Sequence, residues 1–167
     1  LGVYELLERL LTAFPHLLLE GCSGGGGRFD CGMLYYMPQT WTSDNSDAIE
    51  RLPIQHGTSL VYPLSSMSAH VSASPNHQTG HVTPFDTRFN VAFTGSFGYE
   101  LDPTALSEEE QSLVRRTAEF YKKYSHVAAN GRYFRLRSCY EGDCAAWEYI
   151  SDDDSICIAE YVLTHMR

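Results

Sequence analysis

The sequence predicts an α/β fold in which parallel strands alternate with helices up to about residue 131, followed by short antiparallel strands. A unit of apolar strand, polar loop and amphipathic helix recurs along the first part of the chain. After Gly131 the apolar period changes from helical to alternating. A glycine-rich turn also follows the first apolar run directly, and α/β enzymes build their sites on such turns at the carboxyl ends of parallel strands.

The first predicted units cover residues 3–72. Apolar side chains recur at helical spacing over 3–14, where Pro15 ends the predicted helix, and the apolar run 16–20 is predicted to be a buried strand. The β-branched and aromatic content of 39–43 predicts a second strand. Asp47 and Glu50 have the spacing of a capping box, which predicts a helix running from 47 toward Gly57, and a third strand follows at 67–72.

The rest of the chain divides at residue 131. A long polar loop is predicted over 72–88, and the residues alone leave open whether 89–99 is helix or strand. A capping box at Ser107 and Glu110 begins a helix that ends at Asn130 and Gly131. Alternating segments at 133–137, 145–150 and 156–162 predict antiparallel strands, so we expect one domain at 1–131 and a second at 132–167.

Composition excludes several classes of partner. With 21 acidic and 12 basic residues, the net charge is -9, which argues against nucleic acid or an anionic membrane as a partner. No apolar run reaches the length of a membrane helix. The five irregularly spaced cysteines favour a reducing compartment, and we expect a cytoplasmic protein. Because the sequence begins at Leu1 without Met or signal peptide, we expect a piece of a longer protein.

The glycine-rich turn at 21–27 admits more than one chemistry. Residues 21–25 match the G-x-S-x-G pattern of a serine hydrolase with Ser23 as nucleophile. That elbow needs a helix directly after the serine, and each following glycine opposes a helix by roughly 1 kcal/mol. A phosphate-binding loop is disfavoured further, because Arg28 stands where a Lys should close the glycines.

Histidines and carboxylates supply the other candidates. His70, His77 and His81 invite a metal hypothesis, but we interpret them as polar loop histidines and expect no metal. Asp47 has a structural role available as a helix cap. Asp44, at the tip of a predicted strand, has no such role, and the residues alone leave open whether it is an ordinary carboxylate or a general acid.

Four long motifs resemble the bacterial α-galactosidases of glycoside hydrolase family thirty-six: CSGGGGRFD, GMLYYMPQTWTSDNSDAIER, HVSASPNHQTGHVTP and GYELD. The resemblance implies the last three strands and helices of a TIM (β/α)8 barrel, followed by the start of an antiparallel β-sandwich. It implies a retaining enzyme that releases terminal α-linked galactose from melibiose and raffinose-type sugars. Such enzymes need no metal or other cofactor and commonly assemble as tetramers.

The same resemblance assigns roles to individual residues. It implies that Asp44 is the acid/base and contacts substrate, and that Cys22 and Gly25 contact the galactose. The family's nucleophile lies in a Lys-Trp-Asp-x-Asn motif, which this sequence does not contain. We therefore expect a fragment that carries the acid/base, lacks the nucleophile and is inactive alone. A serine hydrolase centred on Ser23 and a non-catalytic sugar-binding protein remain the alternatives.

Overall fold

Two sheets and five α-helices make up the computed structural model, which describes residues 2–22, 24, 27 and 29–164. In chain order the elements are α1 Gly2–Ala13, β1 Glu20–Gly21, α2 Cys31–Tyr36, β2 Gln39–Trp41, α3 Ala48–Ser59, β3 Met67–Ser72, α4 Phe85–Phe93, β4 Ser96–Glu100, α5 Glu108–Asn130, β5 Arg132–Arg137, β6 Cys144–Ile150 and β7 Cys157–Leu163. Within the described residues, none of the helices combines the length and the apolar composition that a membrane crossing requires.

The first sheet is parallel, with strand order β1, β2, β3, β4. β1 pairs with β2, where Glu20 lies opposite Gln39, and β2 pairs with β3, where Trp41 lies opposite Ser68. β3 in turn pairs with β4. Because the strands run the same way, their carboxyl ends meet at one edge. The second sheet is antiparallel, in the order β5, β6, β7.

The core lies on one face of β3. Met67, Ala69 and Val71 are buried there and alternate with Ser68 and His70, which point to the other face. Apolar residues of α4 cover the buried face and continue into aromatic residues of α5 and β6. The opposite face of the parallel sheet is therefore the polar one, and it carries the candidate site.

The capping box predicted at Ser107 is confirmed, whereas at Asp47 the cap forms without the reciprocal bond to Glu50, because the Asp47 backbone N–H donates to Asn45 Oδ1. The Ser107 hydroxyl accepts a hydrogen bond from the Glu110 backbone N–H, and the Glu110 carboxylate accepts one from the Ser107 backbone N–H. Asp47 caps α3 in the predicted place. These local motifs fix where the two helices begin.

The predicted strand at 16–20 is wrong for most of its length. Only Glu20 and Gly21 form a strand, while Leu17 and Leu18 are exposed, the latter by 89%. β1 is an edge strand, so within the described residues no second strand or helix layer covers this apolar run. Burial expected from sequence pattern alone thus depends on a neighbour that the pattern does not reveal.

Two other segments differ from expectation between β3 and α5. The predicted loop 72–88 ends early, because Phe85 and Phe89 lie at helical spacing and are buried as part of α4. The segment left open continues α4 to Phe93 and then forms β4. The parallel sheet consequently has four strands, where the resemblance implied three.

Glu160, in the antiparallel sheet, makes the stability of the folded chain depend on pH. Its side chain is 7% exposed on the inner face of β7, paired with Trp147, and burial raises its pKa well above the usual range. The folded chain therefore keeps Glu160 protonated at pH values where the unfolded chain ionises it. Stability should fall as pH rises from about 4.3 toward the raised pKa, by at most about 1.4 kcal/mol per pH unit.

We expect Glu160→Gln to remove this loss, because the amide cannot ionise. Urea unfolding at pH 4 and pH 7 should show that the free energy of unfolding of the variant, relative to wild type, is higher at pH 7 than at pH 4. Glu148→Gln, on the other face of the same sheet, is the matched control and should show no such gain. An equal difference between Glu160→Gln and wild type at both pH values would contradict the prediction.

Candidate functional site

The candidate site lies where the first two parallel strands end. Cys22 follows β1 and Asp44 follows β2, and the Cys22 Sγ lies 3.9 Å from Asp44 Oδ1. The Asp44 side chain is exposed. Gly25, the other residue expected to contact galactose, lies outside the described residues, as does Ser23.

Asp47 caps helix α3, as predicted from the sequence. It is 1% exposed, and its Oδ1 accepts hydrogen bonds from the N–H groups of Ile49 and Glu50. Its Oδ2 accepts from the Thr79 hydroxyl at 2.6 Å and lies 2.9 Å from His81 Nδ1. Burial alone would raise the pKa of Asp47, but these hydrogen bonds and the histidine outweigh it and lower the pKa. Asp47 therefore stays ionised as a helix cap, with both carboxylate oxygens engaged.

The buried Arg51 side chain binds the backbone that follows the carboxyl end of β2. It is 2% exposed, and its guanidinium donates to the Ser43 carbonyl at 3.0 Å, to the Ser68 carbonyl at 2.8 Å and to the Thr42 hydroxyl at 3.3 Å. Burial lowers the pKa of Arg51 to about 10, against an opposing effect of Glu100. The side chain is thus a buried cation at neutral pH, bound to the residues just before Asp44.

A cavity of about 380 Å³ opens on the polar face of the sheet. It is lined by Glu20, Cys22, Trp41, His70, Tyr99 and Glu100. The His70 imidazole stacks on the Trp41 indole, with ring centroids 4.6 Å apart and an angle of 22° between the planes. The Arg51 guanidinium also contacts that indole, at 4.3 Å from its centroid. Polar and aromatic side chains of four strands therefore meet next to Cys22.

The interpretation of all three histidines as loop residues is wrong for His70. It lies in β3, and its buried Nδ1 has no hydrogen-bond partner within the described residues, Glu100 being 3.6 Å away. His77 is exposed, and His81 is bound to Asp47. In the described part of the chain, no group of three or more His, Cys, Asp or Glu side chains is arranged to hold a metal.

Of the side chains that line this cavity, sequence reasoning gave a binding role only to Cys22 and missed Glu20, Tyr99 and Glu100. One signal was available: β3 is a buried strand in which every second residue is polar, as with Ser68 and His70. Such alternation in a buried parallel strand indicates a polar inner face. Which polar residues face each other depends on the register, and the register is set only by the fold.

The parallel sheet and its helices define an α/β protein, with a thiol and a carboxylate directly after two neighbouring strands, where α/β enzymes place functional groups. A family model described as Melibiase matches residues 1–131, and the chain belongs to the melibiase family.

The matching curated proteins carry the corresponding activity in their names. The chain is 55% identical over 161 residues to alpha-galactosidase AgaA of Geobacillus stearothermophilus, covering 96% of this chain and 22% of that protein. It is 54% identical over 162 residues to the bifunctional alpha-galactosidase/sucrose kinase AgaSK of Mediterraneibacter gnavus. That match covers 97% of this chain and 17% of that protein. The chain therefore spans about a fifth of the length of these relatives.

Solved structures match the fold closely. An AgaA variant from Geobacillus stearothermophilus in complex with raffinose has a TM-score of 0.93 and 54% identity, covering 96% of this chain and 22% of the other. The galactosidase domain of AgaSK has a TM-score of 0.94 and 54% identity, and the match covers 97% of this chain and 22% of the other. These matches confirm the resemblance to family 36 α-galactosidases that the sequence motifs indicated.

Proposed function

We propose that this chain is the part of a retaining α-galactosidase that carries the acid/base. One observation carries the proposal: Asp44 presents an exposed carboxylate beside Cys22 at the carboxyl edge of the sheet, while Asp47 is consumed as a helix cap. Membership of the melibiase family and the names of the relatives support the activity.

The proposed mechanism divides the work between two carboxylates. Asp44 protonates the glycosidic oxygen in the first step and, as a carboxylate, activates the water that releases galactose in the second. Cys22 and Gly25 contact the galactose. The nucleophile must lie about 5 Å from the acid/base in a retaining enzyme. Neither Trp41 nor Trp147 stands in a Lys-Trp-Asp motif, so we assign the nucleophile to a part of the enzyme outside this chain.

The architecture is proposed to follow the same family. We infer that 1–131 is the C-terminal portion of a (β/α)8 barrel and that 132–167 begins a β-sandwich. The parallel order of β1–β4, the antiparallel order of β5–β7 and the extent of the family match support this division. The tetrameric state implied by the resemblance remains a prediction.

The substrates are proposed from chemistry and from the relatives. Solved AgaA structures hold raffinose, stachyose and 1-deoxygalactonojirimycin, and we propose terminal α-galactosides of the raffinose type, and melibiose, for this protein. The serine hydrolase alternative predicts labelling of Ser23 by a fluorophosphonate. The sugar-binding alternative predicts binding of galactose without turnover.

The test compares the full-length enzyme that contains this chain with the chain alone. The full-length enzyme should hydrolyse an aryl α-galactoside and release α-galactose first, as followed by proton NMR. The chain alone should give no hydrolysis, because half of the double displacement is missing. Initial release of β-galactose would rule out a retaining mechanism, and turnover by the chain alone would place a nucleophile within it.

A further inference from the structure

We propose that Gln78, in the loop between β3 and α4, is a positioning residue that sets the direction of the Asp44 carboxylate. The proposal rests on the acid/base role proposed for Asp44. It goes beyond that role because Gln78 lies 34 positions along the chain and acts only through the backbone of Asp44.

The Gln78 amide spans the backbone around Asp44. Its Nε2 donates to the Asp44 carbonyl at 2.8 Å, and its Oε1 accepts from the Ser46 backbone N–H at 2.9 Å. The donor and the acceptor of the Gln78 amide thus both bond to the same short segment of backbone. The two bonds fix the peptide groups on either side of Asn45, much as a neighbouring strand would.

Arg51 holds the preceding carbonyl. Its guanidinium donates to the Ser43 carbonyl, so two consecutive carbonyls, of Ser43 and Asp44, are each bound by a side chain from a different element. The Asp44 carboxylate itself projects toward solvent, and within the described residues its polar contact is the Cys22 thiol at 3.9 Å. The held backbone therefore contributes to the direction of this carboxylate.

Gln78 is itself held by a buried polar network. Its backbone N–H donates to the Oδ1 of Asn76, which is 5% exposed and donates through Nδ2 to the Ser46 hydroxyl at 3.2 Å. The next residue, Thr79, donates to Asp47. The loop is thus attached to the β2–α3 segment at Asp44, Ser46 and Asp47, and Gln78 is the attachment nearest the carboxylate.

A neutral amide suits this position chemically. A Glu at position 78 could not donate to the Asp44 carbonyl and would place a second negative charge near the Asp44 carboxylate. Gln78 supplies one donor and one acceptor without adding charge beside the acid. Gln78 therefore acts on the geometry of the backbone at Asp44.

The test is Gln78→Met in the full-length enzyme, which keeps the length of the side chain and removes both hydrogen bonds. kcat/KM is measured for raffinose, whose leaving group must be protonated, and for a dinitrophenyl α-galactoside, whose leaving group need not be. A displaced acid should lower kcat/KM for raffinose by about 10- to 100-fold. The value for the activated substrate should change by less than about threefold, because that step does not depend on proton transfer.

Three comparisons make the result decisive. His77→Gln, in the same loop with an exposed side chain, should leave both values unchanged. Gln78→Ala removes both hydrogen bonds with a smaller neutral side chain, and it remains informative if the Met variant does not fold. Equal losses on both substrates would reduce Gln78 to a purely structural residue and overturn the proposal. If Asp44→Ala also fails to discriminate between the substrates, the acid/base assignment itself is wrong.

Discussion

Replacing Asp44 by Ala in the full-length enzyme is expected to lower kcat/KM for raffinose by about 10²- to 10⁴-fold, the usual contribution of a general acid. A dinitrophenyl α-galactoside should lose far less, because its phenolate departs without protonation. In the proposed mechanism the Asp44 carboxylate is also the base of the second step, so the galactosyl-enzyme should accumulate with the activated substrate.

Azide provides the diagnostic measurement for this variant. Azide needs no general base, so it should restore turnover of the Asp44→Ala enzyme. It attacks the β-linked intermediate with inversion, and the product should be α-galactosyl azide. Asp152→Asn, an exposed carboxylate in the turn between β6 and β7, is the control and should behave as wild type. Formation of β-galactosyl azide would assign Asp44 as the nucleophile instead.

Replacing Arg51 by Met is expected to destabilise the chain by about 3 kcal/mol, since each buried carbonyl left without its donor costs about 1–3 kcal/mol. The affected carbonyls are those of Ser43, which follows β2, and of Ser68, in the neighbouring strand β3. The loss should appear as a lower urea midpoint, followed by tryptophan fluorescence because Trp41 lies against the guanidinium.

Arg51→Lys separates charge from geometry. Lys keeps the positive charge but cannot donate to several divergent acceptors as the planar guanidinium does, so we expect most of the loss to persist. Arg116→Met, at an exposed position of α5, should stay within about 0.5 kcal/mol of wild type. A similarly small effect of Arg51→Met would show that water replaces the guanidinium at little cost.

Features encoded locally were predictable from the sequence. Ser107 and Glu110 form their capping box within one turn of helix, and Asp47 caps α3 through residues two and three positions away. The change of period after Gly131 likewise reports the passage from α5 to the antiparallel strands. Short-range hydrogen bonding and periodicity decide these elements, so a single sequence contains enough information.

Features that depend on distant partners were not predictable in this way. Leu17 and Leu18 resemble a buried strand but lie beside the sheet edge, where no described layer covers them. His70 acquires its surroundings from Trp41 and Glu100, each about 30 residues away. Asp44 was a candidate from its position at the tip of a predicted strand, and the family resemblance supplied its role. Gln78 and Arg51 act on backbone carbonyls, and such contacts leave no spacing pattern in the sequence.

The attachment of the β3–α4 loop to the β2–α3 segment has a consequence for engineering this protein. In barrel enzymes, differences in chemistry are carried by the loops that follow the strands, which makes single loops attractive to exchange. Here Gln78 and Thr79 reach the segment that holds Asp44 and Asp47, so a transplanted loop would arrive without its matching partner. The two segments should therefore be transferred together, as one cassette covering 42–47 and 73–84.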